Sequence, residues 1–445
     1  MSAIELDISG ALAKGIGAEH GVTADEWNGC CKRLGPIHAS LMERWDRGQL
    51  GFTQLPYDTA ILDQIVPLAA HVRYRFQNVV VLGIGGSALG LKALARALLN
   101  PVEAIPTRME RRAAPRLFVC DNIDPDYFGA LLSQLDWRET CINVISKSGK
   151  TTEIAAQFMI LRDLLEKRFG SQKWKEHVIV TTDPASGPMR AMVICDQLRS
   201  FAIPPAIGGR FSVLSAVGLF PAACVGIDVR GLMDGARAMA DSVRALTNGG
   251  ALDEHAVYRC AAALCLLDTK HAKTMQIVMP YAEGLQQLVD WYLQLTAESL
   301  GKNGLGQTPV KAIGATDQHA QLQLYMEGPN NKVISLLTVG EFLTKLPIPP
   351  SVEPAYAALV GTDLGDLLNI EAEATRRALK EAKRPVIQWR IPRIDPYTIG
   401  QLLFAWEWQT CVAAELYGVD PFGQPGVELG KQITREILAA RKASP

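Results

Sequence analysis

The sequence predicts an α/β protein of two domains, each a parallel β-sheet flanked by helices in three layers. Three observations carry that expectation. Four short apolar runs between residues 78 and 183 each end in small or polar residues, with helical patterns between them. That alternation marks a parallel sheet covered on both faces. The same alternation resumes after residue 200, and 445 residues are more than one core usually organises.

In chain order, residues 1–50 read as a helical, partly polar N-terminal arm with Trp27 and Trp45 as anchors. The strand candidates are "NVVVLGIGGSALG" (78–90), "RLFVCDNID" (116–124), "CINVISKSGKTTE" (141–153) and "HVIVTTD" (177–183). Between them lie the helical patterns "LKALARALL", "PDYFGALLSQL" and "IAAQFMILRDLLEKRF". Pro204-Pro205 and Gly208-Gly209 mark a boundary, so 51–203 reads as the first domain and 204–445 as the second. The second set starts with a loop entering an apolar helix (208–226). A strand within 273–282 follows, then a long helix over 283–302, then 310–328 and 331–339. The end is helical, over 397–418 and again from Lys431.

Composition narrows the function. Hydrophobic residues make up 48%, charged residues 20%, and the formal net charge is -1. That is a globular enzyme's balance, without the basic excess of a nucleic-acid-binding protein. Nine cysteines follow no disulfide or zinc spacing and read as reduced, mostly buried thiols. The histidines form no metal motif, so no metal is expected. "MSAIELDISG" lacks the basic start of a signal peptide, and no apolar stretch reaches membrane-spanning length. The expected location is the cytoplasm.

Two glycine loops invite nucleotide readings. In "GIGGSALG", Gly83, Gly85 and Ala88 satisfy the loose dinucleotide fingerprint, but the acid closing the next run, Asp121, comes about 38 positions after Gly83. The fingerprint expects about 20. What remains is a strand-to-helix turn offering backbone N–H groups, with the Ser87 hydroxyl, to an anion; a ligand-free tight turn is the competing reading. "ISKSGKTTE" ends like a Walker loop, yet Val144 stands where that loop needs glycine. Its hydroxyls, Ser146, Ser148, Thr151 and Thr152, suit one compact phosphate monoester. Lys147 and Lys150 add positive potential, or simply open a solvated helix.

On the helix over 283–302, Gln294 and Glu298 share a face apart from the stripe Leu285, Leu288, Val289, Tyr292 and Leu295. Glu298 sits where the helix should stop, so the negative dipole end favours its protonated form and suits it to act as a general base. A plain surface glutamate is the alternative. His319, Arg210 after two glycines, and Lys431 at a helix start are suggestive, and none is decisive alone.

Together, "LGIGGSALG", "ISKSGKTTE", "GGRFSVLSAVGL", "QLTAESLGKNG", "DQHAQLQLYMEG" and "GQPGVELGK" resemble the phosphoglucose isomerase family in its order, from residue 82 to 431. The resemblance implies two sugar-isomerase (SIS) domains and aldose–ketose isomerisation of glucose 6-phosphate and fructose 6-phosphate, a step of glycolysis and gluconeogenesis, without cofactor or metal. It makes Glu298 the base that moves a proton between carbons 1 and 2 through a cis-enediol. It makes His319 and Lys431 the ring-opening residues and Arg210 the stabiliser of the enediolate. Ser146, Lys147, Ser148 and Thr151 fall in its phosphate loop, and Gly86, Ser87 and Gln294 match its substrate contacts. The family's motif histidine is donated across a dimer interface, so a homodimer is implied. The sequence departs from the pattern at Ser148, at Lys150 and around His319. Another sugar-phosphate isomerase on the same fold, a non-catalytic phosphosugar sensor and a nicotinamide-dependent dehydrogenase are the rival readings.

Overall fold

The structure is a computed structural model that describes residues 4–100, 107, 109, 111, 114–248, 251–350 and 353–443. Ten strands are present among them: β1 (Glu5–Asp7), β2 (Asn78–Leu82), β3 (Arg116–Cys120), β4 (Thr140–Ser146), β5 (Val178–Thr182), β6 (Arg199–Ala202), β7 (Met275–Pro280), β8 (Thr308–Lys311), β9 (Lys332–Val339) and β10 (Val386–Ile391). They form two five-stranded sheets, ordered β3-β2-β4-β5-β6 and β1-β10-β9-β7-β8. Every pairing is parallel except β1 on β10.

The central strands are apolar without alternation because both of their faces are covered. β2, β4, β5 and β9 are buried along their whole length, whereas the edge strands β3, β6 and β8 are partly exposed. Successive side chains of one strand feed different cores. Val80, Leu82, Ile142, Val144, Val178 and Val180 pack under the helices Pro125–Gln134 and Thr152–Lys173. Val79, Val81, Ile145 and Ile179 face a larger core that also takes Val333, Leu337, Ile387 and Trp389 of the second sheet. That shared core is filled by the helices Ala24–Asp46, Ala256–His271 and Pro396–Tyr417. Each fully buried valine or leucine is worth about 1.5–3 kcal/mol against exposure.

Local signals set the helix ends. Thr23 and Glu26 form a reciprocal capping box at the start of Ala24–Asp46. Asp395 accepts from the Thr398 amide ahead of Pro396, and Gly418 closes the same helix in the left-handed region at φ 73°.

Three strands lay outside the sequence reading. β1 falls in the segment read as a helical arm and adds an antiparallel edge to the second sheet. Its three residues are too few to show a period. β6 is a short edge strand, and β10 carries Gln388 and Arg390 within its run. Cys195, read with its apolar run as buried, is exposed, because the helix Pro188–Asp196 turns it outward. Burial pushes the Cys120, Cys141, Cys260 and Cys265 thiols up to about 12, which leaves them unreactive. No helix is long and apolar enough to cross a membrane among the described residues.

Candidate active site

Both loops singled out in the sequence leave the carboxyl end of the first sheet. β2 and β4 are paired neighbours, with Leu82 opposite Val144. From β2 the chain proceeds to β3 on one side, and from β4 to β5 on the other. A crevice therefore opens between the two loops, at the topological switch point where α/β sheets bind ligands.

The β2 loop is built for close approach. Gly85 adopts φ +56°, and a Cβ there would stand 3.0 Å from Gln294 Nε2. At Gly86 a Cβ would lie 2.1 Å from the carbonyl carbon of Gly209. Only glycine lets the turn Gly209–Phe211 sit on this loop. The Ser212 hydroxyl, which also donates to Gly209 O at 2.7 Å, lies 3.4 Å from Gly86 O.

That turn carries Arg210, which is 3% exposed. Its Nε donates to Ser299 Oγ at 2.8 Å, and its Nη1 donates to Glu298 Oε2 at 3.1 Å and Gln424 Oε1 at 3.0 Å. Nη2 donates to the carbonyls of Pro421 and Gly423. All five guanidinium N–H groups are thus engaged. Burial pushes the Arg210 pKa down, and the Glu298 carboxylate opposes that shift.

Glu298 lies in the last turn of the helix Gln286–Leu300, and its side chain is 28% exposed. Its Oε1 accepts from Gln294 Nε2 at 2.9 Å, one turn earlier on the face expected from the spacing. The stripe Leu285, Leu288, Val289, Tyr292 and Leu295 is buried against the shared core. Gln294 Oε1 is buried without a hydrogen-bond partner among the described residues. One carboxylate thus meets a cation and an amide and keeps an open side. That arrangement can take a proton from a substrate and stabilise the negative charge that results.

The β4 loop is held by its own hydroxyls. Ser146 Oγ lies 3.1 Å from Thr151 Oγ1 and accepts from the Gly149 amide at 3.1 Å, and Ser148 Oγ accepts from the Lys150 amide at 3.1 Å. Gly149 turns at φ +65° against Met189. Thr151 is the N-cap of Thr152–Lys173, but its hydroxyl makes no capping bond among the described residues, so the first N–H groups of that helix stay open to an anion. Lys147 turns elsewhere: its Nζ donates to the carbonyls of Pro205 at 2.7 Å and Ile207 at 2.8 Å. It fastens the loop to the chain that leads to Arg210. Lys150 is exposed.

The structure therefore joins Gly85, Gly86, Arg210, Gln294 and Glu298 directly, with Ser87 in the same β2 loop and the Ser146, Ser148 and Thr151 hydroxyls on the adjacent strand's loop. It does not bring His319 or Lys431 to them within the chain. His319 is exposed on the turn after Thr316–Gln318, and Lys431 is exposed and paired with Glu428 at 2.7 Å. No hydrogen bond or ion pair joins either residue to Glu298 or Arg210 among the described residues. The sequence pattern alone did not single out Ser299 or Gln424. Each stands inside a motif already quoted, but nothing in a linear pattern says which neighbour of a charged residue it will bond. Among the described residues no group of three or more His, Cys, Asp or Glu side chains is arranged to hold a metal.

A carboxylate–guanidinium pair beside a hydroxyl-rich loop, at the switch point of a parallel sheet, defines a class: α/β proteins equipped for phosphorylated small molecules. Comparison with known proteins narrows it. The phosphoglucose isomerase family model matches residues 69–324 and 367–445. A glucose-6-phosphate isomerase of Carboxydothermus hydrogenoformans is 42% identical over 90% of this chain and 87% of its own length. One from Rubrobacter xylanophilus is 41% identical over 94% of each chain. A crystal structure of a hypothetical protein from Thermus thermophilus superposes with a TM-score of 0.83 at 35% identity, over 98% of this chain and 100% of that one. The chain belongs to the phosphoglucose isomerase family.

Proposed function

We propose that this protein is an aldose–ketose isomerase that interconverts D-glucose 6-phosphate and D-fructose 6-phosphate, through ring opening and a cis-enediol. The observation that carries the reading is the Gln294–Glu298–Arg210 array at the crevice mouth, in a chain of this family.

The chemistry follows from those groups. The proton next to a sugar carbonyl is weakly acidic, so its removal needs a base and a fixed positive neighbour for the oxygen that gains charge. Glu298 is the base, and it returns the proton to the adjacent carbon, so one carboxylate serves both half-steps. Arg210 is the positive neighbour. Because its donors are all engaged, an enediolate oxygen would take the Nη1 donor now held by Gln424. The phosphate sits on the Ser146, Ser148 and Thr151 hydroxyls and the open helix start. Gly86, Ser87 and Gln294 hold the sugar, so binding away from the reacting carbons supplies orientation. Lys147 fixes the phosphate loop in place. No metal or organic cofactor takes part.

Ring opening falls to His319 and Lys431, and their placement supports a homodimer in which His319 is donated to the partner's site. Residues 425–441 are exposed throughout. Leu429, Ile433 and Ile437 line one face of the helix Glu428–Ala443, exposed at 65%, 44% and 53%. Such an apolar stripe at i, i+4, i+8 suits a face covered by another chain. The compartment is the cytoplasm.

The test is a coupled assay of the purified protein with fructose 6-phosphate, with and without a chelator. Glucose 6-phosphate should form at the same rate in both. Binding without turnover would make the protein a sensor, and faster turnover of mannose or glucosamine 6-phosphate would move it to another substrate.

A further inference from the structure

We propose that Lys302 is a positioning residue for this reaction: its ammonium holds the 420–424 loop and sets a second positive charge beside the Arg210–Glu298 pair. The inference rests on the isomerase reading above.

Its root is fixed. The helix Gln286–Leu300 ends with the Gly301 amide on Ala297 O at 3.0 Å, and a tight turn follows, with Lys302 N on Leu300 O at 2.8 Å and Leu305 N on Lys302 O at 2.9 Å. Asn303, Gly304 and Gly306 all take positive φ, of 55°, 74° and 95°. A Cβ on Gly306 would lie 2.7 Å from Leu300 O, so the turn closes tightly. Lys302 therefore leaves the backbone at a defined point, four residues after Glu298.

Its target is the loop that Arg210 also grips. Lys302 Nζ donates to the Asp420 carbonyl, while Arg210 takes the carbonyls of Pro421 and Gly423 and the Gln424 side chain. Two cations thus hold one short loop from adjacent points. That loop leads through Gln424 into the turn Pro425–Val427 and the helix carrying Lys431. Fixing it fixes Gln424 against Arg210 and the direction in which Lys431 leaves.

The placement of that ammonium, on the same short loop that Arg210 grips, is the informative feature. Burial and the nearby Arg210 both push the Lys302 pKa down, with Asp420 and Glu298 opposing. A neutral donor would tie the same carbonyl without that repulsion. Retaining an ammonium here suits a site where negative charge develops during turnover, because a fixed cation stabilises the charged transition state more than the neutral ground state.

The test measures kcat and KM for fructose 6-phosphate in the full-length parent, Lys302→Met, Lys302→Gln and Lys302→Arg. Expected are a kcat lowered about tenfold or more in the Met and Gln variants with KM changed less than about threefold, and recovery to within about threefold of the parent in the Arg variant. If Lys302→Met does not fold, Lys302→Gln carries the comparison. A parent-level kcat without the charge overturns the assignment, as does a loss confined to KM or one that Lys302→Arg does not recover. A parent that turns over no fructose 6-phosphate overturns the isomerase reading itself, and this inference with it.

Discussion

Arg210 and Glu298 meet at 3.1 Å although 88 residues separate them in the chain. One rides on a glycine turn seated against the β2 loop, and the other ends a helix lined by the shared core. Their ion pair is one-sided: Arg210 is buried, while the Glu298 side chain is 28% exposed. The cation is fixed and the carboxylate faces the crevice, as a reaction requires when it develops negative charge beside a moving proton.

The seat of that pair is the Gly86–Gly209 contact. Gly86→Ala places a methyl 2.1 Å from backbone. It should destabilise the fold by about 1–3 kcal/mol and lower turnover, because the Arg210 turn must shift. Gly29→Ala is the control, since among the described residues nothing outside its own helical turn lies within 4 Å of a Cβ placed there, in the helix Ala24–Asp46. Denaturation midpoints and rates of the two variants check this. Equal behaviour would show that the Gly86–Gly209 contact does not hold the Arg210 turn in place.

The β4 loop should act through affinity. Ser146→Ala with Thr151→Ala removes the hydroxyl pair at 3.1 Å and the acceptor of the Gly149 amide. The expected result is chiefly weaker binding of substrate and of a phosphosugar inhibitor, read by calorimetry. Unchanged inhibitor affinity would count against a phosphate at this loop.

A histidine pair makes the fold acid-sensitive. His38 and His255 flank Tyr258, and His38 Nδ1 lies 2.6 Å from its hydroxyl. His38 Nε2 and His255 Nδ1 are buried without hydrogen-bond partners among the described residues. Burial first, then His38, pushes His255 from the ordinary 6.5 down to about 4. The unfolded chain therefore takes up this proton below about pH 6.5 while the folded chain resists until about pH 4, so stability is full above 6.5 and declines across that window. His255→Gln should narrow the difference between the melting temperatures at pH 7 and pH 5. An unchanged difference would contradict this.

The exposed stripe on Glu428–Ala443 predicts assembly. The native mass should be twice the chain mass. Ile433→Lys with Ile437→Lys should yield monomers with little turnover, as read by light scattering and the fructose 6-phosphate assay. A fully active monomeric variant would contradict the donated-histidine arrangement.

The sequence carried the central strands because they are buried on both faces and therefore mostly apolar without alternation, as in "NVVVL" and "CINVIS", where only Asn78, Asn143 and Ser146 are polar. It could not carry β1, whose three residues are stabilised by pairing with β10 nearly four hundred positions away. The site shows the same division. Gln294 and Glu298 were legible because helical spacing is local. The Arg210 contacts with Ser299 and Gln424 were not, because the fold alone decides which partners a buried guanidinium finds. Lys147 shows the limit most plainly: a lysine in a phosphate loop reads as phosphate-binding, yet its ammonium reaches the carbonyls of Pro205 and Ile207, some sixty residues on.

Glu298→Gln in the fructose 6-phosphate assay, with inhibitor binding measured in parallel, tests the assigned base most directly. The amide keeps the shape of the side chain and removes the base. Turnover should fall by about two orders of magnitude or more while phosphosugar affinity stays near that of the parent. Near-parent turnover would contradict the assignment of Glu298 as the proton-transferring base.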